Sequence, residues 1–174
     1  GEMRLISPDE FRTEGLYWRY EVYLKQLEDR LGAVLGANGG NYAIRRASYE
    51  PIPDETWVDD FVIPLSITLR RGLGVRYDPH AVAWEDTTRS VEAEFVRKSR
   101  IGAGNYQALV MLRGLLDPRH GWISFSFWSH KVSRWMVPLC LAVMFPTSLI
   151  LAWQRPAFTA VVAAQGALYG LALW

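Results

Sequence analysis

Cysteine is nearly missing from this 174-residue chain: Cys140 stands alone. No intrachain disulfide can form, so nothing in the sequence points to an oxidising compartment. Several nucleotide and nucleophile signatures are missing too. There is no Gly-x-x-x-x-Gly-Lys run, no Gly-x-Ser-x-Gly elbow and no Gly-x-Gly-x-x-Gly fingerprint, which argues against P-loop, α/β-hydrolase and dinucleotide chemistry. His80, His120 and His130 are scattered, outside the spacing of a metal site. Gly1 opens straight into polar sequence, without the order of a signal peptide. Internal repeats and low-complexity tracts are missing. Charge itself runs out towards the end: after Arg134 the only charged residue is Arg155.

What the chain has is an uneven division. Residues 1–88 carry 10 basic and 15 acidic side chains, net −5; residues 89–174 carry 9 basic and 3 acidic, net +6. The basic part adjoins apolar sequence, so its expected partner is an anionic membrane surface rather than nucleic acid. From Trp135 to Gln154 run 20 uncharged residues, which at about 1.5 Å each match a hydrocarbon core of about 30 Å. Ala157 to Trp174 is a second uncharged run, of 18 residues. The two are expected to form a tight transmembrane hairpin, the second span cut short. A buried hairpin in a soluble protein is the competing picture, but uncharged runs of this length exceed what a core helix needs. The opening at Gly and the ending inside an apolar run lead us to expect a piece of a longer protein.

Apolar residues at Leu16, Tyr20, Leu24, Leu27 and Leu31 predict a helix within Asp9 to Leu31, with Glu21 and Lys25 as a supporting pair and Gly32 as a stop. Gly36-Ala37-Asn38-Gly39-Gly40 reads as a turn, and the alternation at Tyr42 and Ile44 as a short strand. Asp60 to Arg71 reads as a helix with an acidic start, Pro64 lying tolerably near its first turn. Val75 to Trp84 reads as strand, interrupted by Asp78-Pro79. Thr87 or Thr88 is expected to cap a long helix towards Leu116, weakened by Gly102 and Gly104. Residues 117–134 mix Trp122, Phe125 and Trp128 with Arg119, Lys131 and Arg134, as a segment lying at headgroup level does.

Asp59 and Asp60 lead the candidates for chemistry. An arbitrary Asp-Asp pair more often caps a helix than catalyses; the alternative is a general base, because adjacent carboxylates in a partly buried site raise one pKa. Arg97, Lys98 and Arg100 divide evenly between a solvated basic face and a cradle for a diphosphate. The Gly36–Gly40 turn is either a plain connection or a place where backbone approaches a sugar closely.

The order Gly36-Ala37-Asn38-Gly39, Tyr42-Ala43-Ile44-Arg45-Arg46, Val58-Asp59-Asp60-Phe61, Tyr77-Asp78-Pro79 and Arg97-Lys98-Ser99-Arg100-Ile101 with Gly104 resembles the membrane-embedded family 2 glycosyltransferases, the cellulose-, hyaluronan- and chitin-synthase-like enzymes. The resemblance runs from about Tyr17 to about Trp153. Each motif is short; their joint order before a membrane span is the stronger signal. It implies an α/β fold, the second half of a GT-A type domain over 1–116, followed by an interfacial segment (117–134) and two transmembrane helices (135–174). It further implies an inverting transferase that moves sugar from a nucleotide-diphosphate donor to a polysaccharide or lipid-linked acceptor, on the cytosolic side of a multi-pass membrane protein.

In that family a Thr-Glu-Asp motif supplies the base from its last residue. Val58-Asp59-Asp60 stands there, so Asp60 inherits the base role and Asp59 the neighbouring carboxylate. Asn38 and Gly39 would line the sugar site. Where the family has Gln-x-x-Arg-Trp, this chain keeps Arg100 but has Arg97 for Gln and Ile101 for the acceptor-stacking Trp, which puts processive synthesis in question. The family's metal-binding Asp-x-Asp belongs to a half that would precede Gly1. A divalent metal, Mg or Mn, is therefore expected on ligands outside this chain, which alone would be inactive. Two alternatives stay open: transfer of a single sugar to a lipid, and a non-catalytic membrane-anchored interaction module.

Overall fold

The computed structural model describes residues 2–6, 12–86 and 90–173. Helices dominate. The helix α1 spans Arg12–Arg30, α2 Asp59–Arg71, α3 Val91–Met111, α4 Trp122–Ser126, α5 Ser133–Gln154 and α6 Ala157–Leu173. Short 3₁₀ turns occupy Arg46–Ser48, Arg113–Leu116 and Pro118–His120, and a π-helical stretch covers Phe127–Val132. The β-structure among the described residues is one parallel pair, β1 (Glu2–Ile6) with β2 (Val82–Asp86), in register from Glu2↔Val82 to Ile6↔Asp86.

That corrects the expected α/β, GT-A type fold: a mainly helical chain with a single strand pair does not carry such a sheet. The expected strand at Tyr42–Arg45 is irregular, and the expected Val75–Trp84 strand is reduced to its end. Side chains take the backbone groups that a ladder would have used. The Asn41 amide donates to the Ala81 carbonyl at 2.6 Å, and the Tyr77 N–H donates to Asp29 Oδ1 at 2.8 Å. The His80 N–H donates to Asp78 Oδ1 at 2.9 Å, an Asx turn around Asp78-Pro79. Alternation over only four residues is too short a signal to tell strand from side-chain-tied loop.

The helices follow their sequence signals more closely. Gly72 ends α2 at φ 66°, its N–H bonded to the Thr68 carbonyl at 2.9 Å. The expected Thr87 or Thr88 cap lies outside the described residues; the cap of α3 is Ser90, whose Oγ accepts from the Ala93 N–H at 3.1 Å. Helix α3 runs unbroken through Gly102 and Gly104 and gives way to 3₁₀ geometry after Met111, short of the expected Leu116.

The chain divides into two units, Gly1–Val132 and Ser133–Trp174. In the first, Val58, Val62 and Ala108 form a core cluster with Ile52, Phe61 and Met111 packed on it, so α2 lies against the second half of α3. Gly104 is part of that contact: a Cβ there would stand 2.9 Å from Val58 Cγ1. The glycine that reads as a weak point of the helix is what lets the two elements approach.

In the second unit α5 and α6 pack as a hairpin. Ser148 Oγ and Gln165 Oε1 stand 2.7 Å apart, both side chains buried between the helices. Helical backbone continues from Trp122 to Gln154, one helix long and apolar enough to cross a membrane. The apolar helix Ala157–Leu171 is shorter. Val143, Ile150 and Leu168 are 67%, 62% and 60% exposed, so the apolar surface of this hairpin is turned outward rather than into a protein core.

Gly36 supplies the first test. It sits at φ 77°, and a Cβ would lie 2.7 Å from Phe61 Cδ2. Gly36→Ala therefore meets both backbone strain and a ring it cannot displace freely. We expect a loss of about 2 kcal/mol in denaturant unfolding of the detergent-solubilised protein, against less than about 0.5 kcal/mol for Gly102→Ala, where the space is open.

Candidate active site

The site is built on the first turn of α2. Val58 is the N-cap and no side chain caps the helix, so Asp59 and Asp60 are first-turn residues rather than caps. Pro64 has no N–H for the carbonyl four residues earlier, which belongs to Asp60. The Ala37 N–H donates to that carbonyl instead, at 2.9 Å. This bond lays the Gly36–Gly40 turn along the start of α2. A Cβ on Gly39 would stand 3.4 Å from Asp60 Oδ2, so the turn's backbone faces the carboxyl directly. Next in the turn, Asn38 Oδ1 accepts from Lys25 Nζ of α1 at 2.5 Å.

Asp60 is partly buried, and burial first, then the neighbouring Asp59 charge, push its pKa above the ordinary carboxylate range; the Phe61 N–H and the Lys25 charge pull it back. Burial lowers the Lys25 pKa, opposed by Glu28, Glu21 and Asp60. The Tyr42 pKa is raised by burial and then by the charges of Asp59 and Asp60. Lys25 and Tyr42 were not singled out for the site from sequence. Glu21, Lys25 and Glu28 do recur at helical spacing, the one signal available, but such a stripe reads as a solvated face.

The π-helical stretch Phe127–Val132, the end of the first unit, packs on Phe61 and Glu28. Phe127, fully buried, stacks on Phe61 with centroids 6.3 Å apart, and Lys131 Nζ lies 5.8 Å from the Phe61 ring centre. His130 Nδ1 meets Glu28 Oε1 at 2.7 Å, while Glu28 Oε2 accepts from the Leu35 N–H at 3.2 Å. The other ring nitrogen, Nε2, faces Glu21 Oε2 at 3.7 Å.

The cations are placed differently. Arg97 makes a two-pronged pair with Glu94 at 2.7 and 2.8 Å, and Lys98 Nζ is 3.4 Å from the same carboxylate. All three candidates, Arg97, Lys98 and Arg100, are exposed on the first half of α3. Arg100 lies one helical turn before Gly104, the residue that touches Val58, so it belongs to the face of α3 that meets the start of α2. The structure thus brings Asp60, its neighbour Asp59, Gly39 and Asn38 together, while Arg97, Lys98 and Arg100 stay on the exposed first half of α3. Ile101 is half-buried.

No group of three His, Cys, Asp or Glu side chains among the described residues suits a metal ion, and no step below is routed through one. What the arrangement offers is a carboxyl of raised proton affinity and a close backbone approach beside it. No family model matches the sequence, and no curated protein or solved structure matches it. The family likeness therefore stays a resemblance of motifs.

An acid whose folded-state pKa is raised holds its proton more tightly folded than unfolded. Its contribution to stability is fully present below the unfolded pKa and is lost as pH rises through the folded value. Asp60→Asn cannot ionise, so it should gain stability relative to wild type as pH climbs above about 4. Unfolding free energies of both proteins at pH 4 and pH 7 measure this: the stability of Asp60→Asn minus that of wild type should rise, and a difference that stays constant or falls would contradict the burial of Asp60.

Proposed function

We propose that this chain serves a membrane-bound inverting glycosyltransferase in which Asp60 is the general base. Asp60 takes the proton from an acceptor hydroxyl as that oxygen attacks the anomeric carbon of a nucleotide-diphosphate sugar. The new C–O bond forms, the bond to the diphosphate breaks on the opposite face, and the electron pair leaves with the nucleotide. Arg100, with Arg97 and Lys98, balances the charge building on that leaving group, while Asn38 and Gly39 line the sugar. The reading rests on side chains, not on a fold.

One observation carries it: a half-buried carboxyl of raised pKa against the Gly39 backbone. Raising a carboxyl towards neutral strengthens it as a base at working pH. The rival, a membrane-anchored module whose acidic pair only stabilises a helix, calls for Asp60 on an open surface, and partial burial weighs against that. Ile101, in the place of an acceptor-stacking Trp, favours a single transfer to a lipid-linked acceptor over polymer synthesis.

We place the 1–134 region in the cytosol, with α5 crossing outward and α6 returning. Arg113, Arg119, Lys131 and Arg134 precede the first span and Arg155 alone follows it. At 22 residues α5 is about 33 Å long. The Ser148–Gln165 contact supports a common depth for α6, because a buried polar pair in hydrocarbon needs its partner alongside.

Asp60→Asn in the intact membrane-bound protein should lower sugar transfer by ~10²–10⁴ while leaving expression and insertion unchanged. Transfer within about tenfold of wild type would remove Asp60 from the base role. Arg100→Lys, which keeps the charge and loses the fork, should lower turnover clearly; normal turnover in Arg100→Ala would end the leaving-group role. For the topology, single cysteines near Arg119 and near Arg155, with Cys140 replaced, are to be exposed to an impermeant thiol reagent on intact cells. Labelling near Arg155 alone is expected, and labelling near Arg119 alone would invert the arrangement.

A further inference from the structure

The half-buried ammonium of Lys25 is the feature that the proposed mechanism does not use. It rises from the middle of α1 with carboxylates around it: Glu21 one turn before, Glu28 one turn after, and Asp60 across from α2. Long cationic side chains ordinarily reach for water, and keeping one inside requires partners. Its direct partner is neither Glu but the side-chain oxygen of Asn38, at 2.5 Å.

That choice has a geometric cause. Glu28 is already committed: one carboxylate oxygen meets His130 Nδ1 at 2.7 Å, and the other accepts from the Leu35 N–H at 3.2 Å. Glu21 faces the other side of the same imidazole, at 3.7 Å. With both acids of its own helix turned towards His130, the ammonium meets the Gly36–Gly40 turn at Asn38. Asn38, in turn, adjoins Gly39, whose Cβ position is 3.4 Å from Asp60 Oδ2.

We propose that Lys25 is a positioning residue of this site: its ammonium fixes the Asn38 turn against the start of α2 and places a positive charge on the side of the turn that faces the Asp60 carboxyl. The proposal rests on the reading of Asp60 as the base for its functional meaning, though not for its test. Opposing effects meet at Asp60: burial and Asp59 favour the protonated acid, while the Phe61 N–H and then Lys25 favour the carboxylate. Other titratable groups in reach are Tyr42, raised by the charges of Asp59 and Asp60 after burial, and Lys131, over the Phe61 ring. His130 stands on the far side of Glu21 and Glu28. Of these, Lys25 is the one cation that bears on Asp60 and at the same time bonds the turn facing it.

The test follows the Asp60 carboxyl directly. The full chain, with ¹³C-labelled aspartate, is titrated in detergent micelles by NMR, and the Asp60 signal is identified by its loss in Asp60→Asn. Lys25→Met keeps the length of the side chain and removes its charge. We expect it to move the Asp60 midpoint to higher pH and Lys25→Arg to return the midpoint towards wild type. An unmoved midpoint in folded Lys25→Met overturns the proposal. If Lys25→Met does not fold, the reciprocal measurement decides, since a coupling between two sites acts equally on both. The ¹⁵Nζ signal of Lys25 should titrate at lower pH in Asp60→Asn than in wild type, and an unchanged Lys25 midpoint overturns the proposal equally. Neither titration requires sugar transfer. A failed coupling and a failed transferase reading are therefore separate results: the first shows in these midpoints, the second in the activity of Asp60→Asn.

Discussion

A proline in the sixth position of α2 would ordinarily only weaken that helix, by about 3 kcal/mol for an interior site. Here the loss is offset, because the carbonyl it strands is taken by the Ala37 N–H. Much of the site depends on that one bond. It fixes the register of the Gly36–Gly40 turn on α2, sets Gly36 against the Phe61 ring and brings Gly39 to the Asp60 carboxyl. It also puts Asn38 within reach of α1. A helix complete in its own hydrogen bonds would have had no carbonyl to offer, and the turn no place to dock.

The same bond explains what was legible in the sequence and what was not. Helical periodicity over a dozen or more residues located α1, α2 and α3, because each presents a continuous apolar stripe. Pro64 in the sequence is only a conflict with the helix; its role needs Ala37, 27 positions earlier, and nothing local announces such a pairing. The expected strands failed for a similar reason. The backbone of Tyr77, His80 and Ala81 is tied by the Asp29, Asp78 and Asn41 side chains, and a short alternation looks the same whether the backbone bonds to a strand or to a side chain. Asp59, Asp60, Asn38 and Gly39 could be named from motif order. Lys25 and Tyr42 could not, since their importance comes from the folded chain setting α1 and the loop beside α2.

The apolar end of the chain was legible by composition alone. Uncharged runs fix the lengths of α5 and α6, whereas the pairing of Ser148 with Gln165 does not follow from hydropathy. Sequence placed the change from soluble to apolar at Trp135. Helical backbone starts earlier, at Trp122, and passes through π geometry at Phe127–Val132. Such a widened turn shifts side chains around the axis, and this one carries Phe127, His130 and Lys131 onto Phe61 and Glu28. The segment that leads into the apolar helix is therefore held by the residue immediately after the proposed base.

The position of Asp60 also settles which electrostatic effect dominates there. A carboxylate in the first turn of a helix is favoured by the helix dipole, by about 0.3–1 kcal/mol when exposed. Raised proton affinity at such a place means that burial and the Asp59 charge outweigh both the dipole and Lys25. The cations of α3 present the opposite balance. Their pairs with Glu94 are exposed, and pairs of that kind contribute about 0–1 kcal/mol. Hydrogen bonds to charged groups contribute about 1.5–3 kcal/mol each, so a diphosphate accepting two or three of them can draw Arg97 and Lys98 away from Glu94 at little cost. The basic turn of α3 is thus weakly held by its own acid, while the acid of α2 is held by burial and by the turn docked on it.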